Sequence, residues 1–284
     1  MIDFQNVTKR YGSSSAAAID NLSMKVSDNG IYCLLGRNGA GKTTLFKLIA
    51  GHTYATEGSV FADGKKVSTL SQPDCVNFVD TGSEQFNMRL SELLDTAVTL
   101  QDGFDLGFAR QMAGRFGLDL RKKYKQLSFG MKTMLTTILT LANKSKVILL
   151  DEPILGFDAI MRDRFNTLIQ ESYELHPRII VVSTHLIDEI AKITQRLIII
   201  DNGKVMLHTG IEDIDERAYV LTGLSKAVIP LLDNLNCIGK NVVGDMLAAY
   251  IYDERIEPPK GVAMDKLSLQ DFFVKLIGGD IHYA

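Results

Sequence analysis

The chain has 284 residues, 46% of them hydrophobic, which suffices for one large domain with an appendage or for two modest ones. Its 31 Lys and Arg stand against 34 Asp and Glu, a net charge of -3, which argues against a dedicated nucleic-acid binder, so no nucleic-acid partner is expected. No apolar run approaches the roughly 20 residues that cross a bilayer, the start Met1-Ile2-Asp3-Phe4-Gln5 lacks the segments of a secretory signal, and three distant cysteines, Cys33, Cys75 and Cys237, read as reduced thiols. By itself the chain is expected to be cytosolic, with any membrane role coming through a partner.

From Met1 to about Val67 the pattern predicts short strands with tight turns or hairpins at Asp28-Asn29-Gly30 and Asp63-Gly64. Between them, Ile31 to Leu35 is an apolar run that predicts a buried strand, and Leu45, Leu48 and Ile49 follow at helical spacing, with Gly51 at the stop. From Ser91 to about Leu141 helical spacing takes over. Val147 to Leu150, Ile179 to Val182 and Leu197 to Ile200 are then continuous apolar runs separated by helical segments such as Met161 to Tyr173, the mark of parallel strands covered on both faces. A hairpin at Asn202-Gly203 closes that region. The tail predicts strands at Ala218 to Leu221 and Leu247 to Tyr252, a helix from Lys226 to Leu232, and an amphipathic helix from Leu267 to Ile277 with Leu269, Phe272, Phe273 and Leu276 on one face. That face is expected to pack on its own domain.

Between the first apolar run and the first helix stands Gly36-Arg37-Asn38-Gly39-Ala40-Gly41-Lys42-Thr43-Thr44, which fits the phosphate-loop pattern without a mismatch. Glycines let backbone N–H groups converge on phosphate oxygens at a helix N-terminus. Lys42 brings a positive charge to the outer phosphates, and Thr43 offers a hydroxyl to Mg²⁺. A nucleoside triphosphate is the expected ligand. A later strand ends in Asp151-Glu152, where ligands of open α/β sheets bind. Asp151 is placed for the Mg²⁺ shell and Glu152 for orienting the attacking water. His185 ends the next apolar run in the same way. Its imidazole is expected to reach the γ-phosphate or the water with one nitrogen and a backbone group with the other. The basic run Arg121-Lys122-Lys123-Tyr124-Lys125 reads as a solvated helix end.

Leu127-Ser128-Phe129-Gly130-Met131-Lys132 separates the phosphate-loop families, because it resembles the signature of ATP-binding-cassette proteins at that family's spacing from Asp151. The resemblance covers Met1 to about Met206, with the motifs in the family's order. It implies an α/β phosphate-loop ATPase of the ABC type: an antiparallel β subdomain, a mostly parallel core sheet flanked by helices, and an inserted helical subdomain at about 81–145. The expected division is a nucleotide-binding domain over 1–210 and a small α+β accessory region over 211–284. It further implies ATP and Mg²⁺ as cofactors and a head-to-tail pair with a second ATP-binding subunit. Each ATP would lie between the phosphate loop of one subunit and Ser128, Phe129, Gly130 and Met131 of the other. Gly156 and Asp158 resemble the loop between the two sites, and Tyr11 matches the aromatic that stacks on adenine. One position departs: where the family places a glutamine near the metal, the stretch Phe78 to Gln85 puts Thr81.

Phe129 and Met131 in the signature, Ser183-Thr184-His185, and the closing Leu267 to Phe273 helix followed by Gly278-Gly279 look like the ATPase subunits of two-component bacterial exporters. The resemblance points to subunits serving antimicrobial-peptide immunity, bacitracin-type resistance and phenol-soluble modulin export. It implies a multi-span membrane permease as partner and a place on the cytoplasmic face of the membrane. Two other classes stay open: a soluble non-transport ATPase of this kind, and an ATP-gated regulator of a membrane complex.

Overall fold

The computed structural model describes residues 1–12, 16–80 and 86–278, so the Thr81 position lies outside the described residues. The chain divides into two compact units, Met1–Leu207 and His208–Ala284. In the first, the strands β1 (Ile2–Lys9), β2 (Ile19–Val26) and β3 (Gly30–Leu35) lead into helix α1 (Lys42–Ile49), followed by β4 (Glu57–Ala62), β5 (Lys65–Lys66) and β6 (Val76–Asp80). Helices α2 (Leu90–Leu100), α3 (Leu106–Arg115) and α4 (Phe129–Ala142) come next. Then β7 (Val147–Asp151), α5 (Ala159–Leu175), β8 (Ile179–Ser183), α6 (Ile187–Ala191), β9 (Arg196–Asp201) and β10 (Lys204–Gly210) alternate.

Two sheets organise these elements, an antiparallel one in the order β2-β1-β4-β5 and a six-stranded one in the order β10-β9-β3-β8-β7-β6. In the second, β3 runs parallel to β8 and β9, and β7 runs parallel to β6 and β8. Every residue of β3, β7 and β8 is buried, as the continuous apolar runs require. Asp63-Gly64 and Asn202-Gly203 each pair two positive φ angles, 51° with 78° and 47° with 75°, the geometry of a two-residue hairpin turn. Asp28-Asn29, by contrast, joins β2 of one sheet to β3 of the other, so it is a tight turn without a hairpin.

The stretch read as helical from Ser91 to Leu141 resolves into three helices whose starts carry their own caps. Glu92 accepts from the Arg89 N–H at 2.9 Å, Asp105 from Phe108 at 2.9 Å, and Ser128 from Met131 at 3.3 Å. The Arg121 to Lys125 run is not a helix end. It lies between α3 and α4, where Arg121 pairs with Asp119, Tyr124 is buried and a short 3₁₀ turn spans Tyr124–Gln126. Buried Arg178 holds the far end of α4: its guanidinium donates to the carbonyls of Asn143 and Leu141 and to the Ser172 hydroxyl at 2.6, 2.8 and 2.6 Å. Burial lowers its pKa to about 10, which still leaves a cation at neutral pH.

The second unit contains α7 (Ile211–Arg217), β11 (Ala218–Leu224), α8 (Ser225–Val228), β12 (Cys237–Val243), β13 (Met246–Tyr252), β14 (Val262–Lys266) and α9 (Leu269–Gly278). Its antiparallel sheet has the order β12-β13-β11-β14 over a core of Tyr219, Leu221, Val228, Leu247, Ala249 and Ile251. The expected helix from Lys226 to Leu232 is shorter: α8 gives way to a 3₁₀ segment, Ile229–Asn234, at whose start Pro230 has no N–H to continue the ladder. On α9, Phe272 is fully buried against Tyr252, ring centroids 5.0 Å apart, so the apolar face packs on its own unit.

Candidate active site

The carboxyl ends of β3, β7 and β8 supply the site, because parallel strands bring the residues that follow them to one edge. The loop after β3 depends on glycine at two points. A Cβ on Gly36 would stand 2.6 Å from the Ile200 carbonyl oxygen, and one on Gly41, at φ +107°, 2.4 Å from that of Ala18. Lys42 is 8% exposed, and its ammonium donates to the Gly36 and Arg37 carbonyls at 2.7 and 3.3 Å. Arg37, Asn38, Gly39, Gly41, Lys42, Thr43 and Thr44 line a cavity of about 260 Å³ together with Ala18, Asp151 and Glu152. Ala40 is buried behind the loop, its N–H bonded to the Arg37 carbonyl at 3.0 Å. A cavity of this size beside a helix N-terminus and a lysine suits a chain of phosphates.

The Thr43 hydroxyl donates to Asp151 Oδ2 at 2.6 Å, and Asp151 Oδ1 accepts from the Ser183 hydroxyl. Two hard oxygens converge here from different elements at the mouth of the phosphate loop. That donor set fits Mg²⁺, which takes one or two protein oxygens and fills the rest of its octahedron with phosphate and water. Among the described residues no cluster of three or more His, Cys, Asp or Glu offers a site of the all-protein kind.

Glu152 sits one residue past β7 in the left-handed region, φ 47°, a conformation uncommon for a residue other than glycine and held only where the surroundings enforce it. Its N–H donates to the Ser183 carbonyl at 3.0 Å and lies 3.2 Å from the Ser183 hydroxyl. The kink turns the Glu152 carboxylate to His185, whose Nδ1 stands 2.9 Å from Oε2. The second partner expected for His185 was a backbone group; the structure gives it the carboxylate instead. Ser183 escaped the sequence reading although it supports both acidic residues. Its signal was register: Asp151 and Ser183 are directly paired across β7 and β8.

Tyr11 is 61% exposed, not a core residue, and its hydroxyl donates to Thr44 Oγ1 at 3.3 Å. Cys33, beneath the loop, is fully buried, and burial pushes its thiol well above the ordinary range, which keeps it chemically inert. At the start of α4, Ser128 and Phe129 are exposed while Gly130 and Met131 are partly covered. Phe157 lies 3.5 Å from where a Gly130 Cβ would be, and Phe129 lies 3.3 Å from that of Gly156. The signature segment and the loop carrying Gly156 and Asp158 therefore pack as one surface, with Asp158 capping α5 through the Met161 N–H at 2.8 Å.

Residues 19–155 match the family model described as ABC transporter. The chain is 25% identical, over 98% of its length and 97% of the relative's, to the bacitracin transport ATP-binding protein BcrA of Enterococcus faecalis. It is 27% identical, over 76% of its length and 95% of the relative's, to the lantibiotic transport ATP-binding protein SrtF of Streptococcus pyogenes. The fold matches the dimeric post-hydrolysis structure of the ATP-binding cassette MJ0796, bound to ADP and Pi, with a TM-score of 0.64 and 23% identity over 74% of this chain and 99% of that one. The matched segment, residues 19–155, lies within the Met1–Leu207 unit that holds the phosphate loop, so this part of the chain is an ABC transporter ATP-binding domain.

Proposed function

We propose that this subunit closes with a second ATP-binding subunit around two ATP molecules, hydrolyses them, and so powers a multi-span permease that exports a drug or an amphipathic antimicrobial peptide. The observation that carries the hydrolytic part is the chain of contacts Thr43–Asp151–Ser183 and Glu152–His185 around one phosphate-sized cavity. In this reading the loop N–H groups and Lys42 hold the triphosphate. Glu152 accepts the proton of the water that attacks the γ-phosphorus, and ADP leaves with the broken bond's electrons. His185 keeps the carboxylate aimed through Nδ1 and has Nε2 left for the water or the γ-phosphate. Mg²⁺ held by Thr43 and Asp151 would offset the charge on the phosphate oxygens.

The export part rests on the relatives. BcrA, a bacitracin transport protein by its name, aligns with nearly the whole chain, including the His208–Ala284 unit. Among the described residues no helix is long and apolar enough to cross a membrane; in this reading the transport path belongs to a partner, and the subunit works at the cytoplasmic face. The test is to tag the Glu152→Gln variant in its native cell, solubilise the membranes in mild detergent and identify what co-purifies. A stoichiometric multi-span membrane protein supports the transporter reading. Recovery of ribosomes, nucleic acid or soluble protein alone moves the chain to a non-transport ATPase.

A further inference from the structure

Lys9, the last residue of β1, is only 3% exposed, yet it carries an ammonium. That ammonium lies 4.1 Å from the centroid of the Tyr54 ring and 4.9 Å from that of Tyr11. A cation at these distances from two aromatic rings is held by their quadrupoles. The backbone fixes the trio: Thr56 N–H donates to the Thr8 carbonyl at 2.8 Å and Arg10 N–H to the Thr56 hydroxyl at 3.0 Å, which draws the 54–56 segment against the end of β1. Both tyrosines remain open to solvent, at 61% and 65% exposure for Tyr11 and Tyr54. The Tyr11 hydroxyl meanwhile touches Thr44 of the phosphate loop. Tyr11 is thus pinned at its hydroxyl end by the loop and on its ring by Lys9, next to the place where a triphosphate would carry its base.

We propose that Lys9 and Tyr54 are positioning residues for the nucleobase: they hold the Tyr11 ring in the orientation that receives it, and so set the share of nucleotide affinity that comes from the base. This rests on the reading of the cavity as a nucleotide site. A fixed ring loses little freedom on binding, whereas a ring released from Lys9 must be ordered by the ligand itself. The lysine also polarises the ring on which a base would stack. Neither effect reaches the phosphates, so the contribution separates cleanly from that of the loop.

The test measures binding of ATP and of inorganic tripolyphosphate, each with Mg²⁺, to the full chain by calorimetry. The parent should bind ATP more tightly than tripolyphosphate. Lys9→Met, which keeps most of the aliphatic stem, should weaken ATP by about three- to fivefold, the scale of one weak cation–π contact, with tripolyphosphate affinity unchanged. Lys9→Arg should restore ATP binding, because a guanidinium also lies over aromatic rings. Tyr54→Leu should repeat the Lys9→Met result from the other side of the cation. With Tyr11→Ala in place, Lys9→Met should cost nothing further. Equal losses for ATP and tripolyphosphate, or unchanged ATP binding in both Lys9→Met and Tyr54→Leu, would overturn the proposal. A parent that binds neither ligand removes the nucleotide reading itself, and one that binds both equally removes the base-stacking role of Tyr11.

Discussion

In the proposed reaction Lys42 and Glu152 divide the work of the cavity. Lys42 is nearly buried and already donates to two loop carbonyls, so its charge is oriented before any phosphate arrives. Charge-assisted hydrogen bonds are worth about 1.5–3 kcal/mol, so Lys42→Ala should weaken ATP binding by about 10- to 100-fold in calorimetry; unchanged affinity contradicts the assignment. Glu152→Gln keeps the size and the hydrogen-bonding oxygen but cannot accept the proton of the attacking water. Steady-state phosphate release should fall by about 10²–10⁴-fold with ATP affinity retained, which is the usual weight of a general base. Turnover within a few-fold of the parent would assign the proton to another group. At this scale the loop and the two acidic residues were legible because each is a contiguous pattern. Ser183 was not, since its importance comes from pairing across two strands that are distant in sequence.

Among elements, legibility follows how many sides of a segment are covered. β3, β7 and β8 are buried throughout and announce themselves as unbroken apolar runs. β12 and β14 are edge strands bonded along one side, mostly exposed, and their sequences Cys237–Val243 and Val262–Lys266 lack a clean alternation, so neither was expected. Helix α7 was missed as well: its seven residues, four of them acidic, show one buried apolar side chain, Ile214. What ties α7 down is a polar contact. Tyr252 of β13 donates its hydroxyl to Asp213, and that bond, helped by Thr209 and Arg217, holds the Asp213 carboxyl below the ordinary aspartate range. Burial and the same carboxylate raise Tyr252 to about 12. A depressed carboxyl contributes stability that is present above its unfolded pKa of about 3.9 and is lost as pH falls through the lower folded value. Amide exchange in α7 and β13 should therefore accelerate as pH drops below about 4, after correction for intrinsic rates. Tyr252→Phe should flatten that dependence. An identical pH profile in the variant removes the bond from the account.

At the scale of the whole molecule, the phosphate loop and the signature segment, which the proposed reaction needs together, do not meet within one chain's cavity. The cavity is lined by the phosphate loop, Ala18, Asp151 and Glu152, and none of the signature residues is part of that lining. Ser128 is exposed at the start of α4, with Phe129 half exposed beside it and Leu155 and Ile160 exposed on the adjoining loop and helix. In the proposed closed pair another copy would cover this face, each copy offering the same surface. If a second subunit's Ser128 reaches the γ-phosphate, ATP joins the two copies and stabilises the dimer by mass action. Glu152→Gln should then be monomeric without nucleotide and dimeric with ATP in light scattering. Adding Ser128→Arg to that variant places a long side chain where the γ-phosphate must dock. The present Ser128 cap bond to Met131 is long, 3.3 Å, so its loss costs about 0.5–2 kcal/mol, at the low end, and leaves the fold intact. The double variant should bind ATP as a monomer. Dimerisation that survives Ser128→Arg would place the contact between copies elsewhere, whereas loss of both dimer and ATP binding would mean that Ser128 acts on its own subunit's loop.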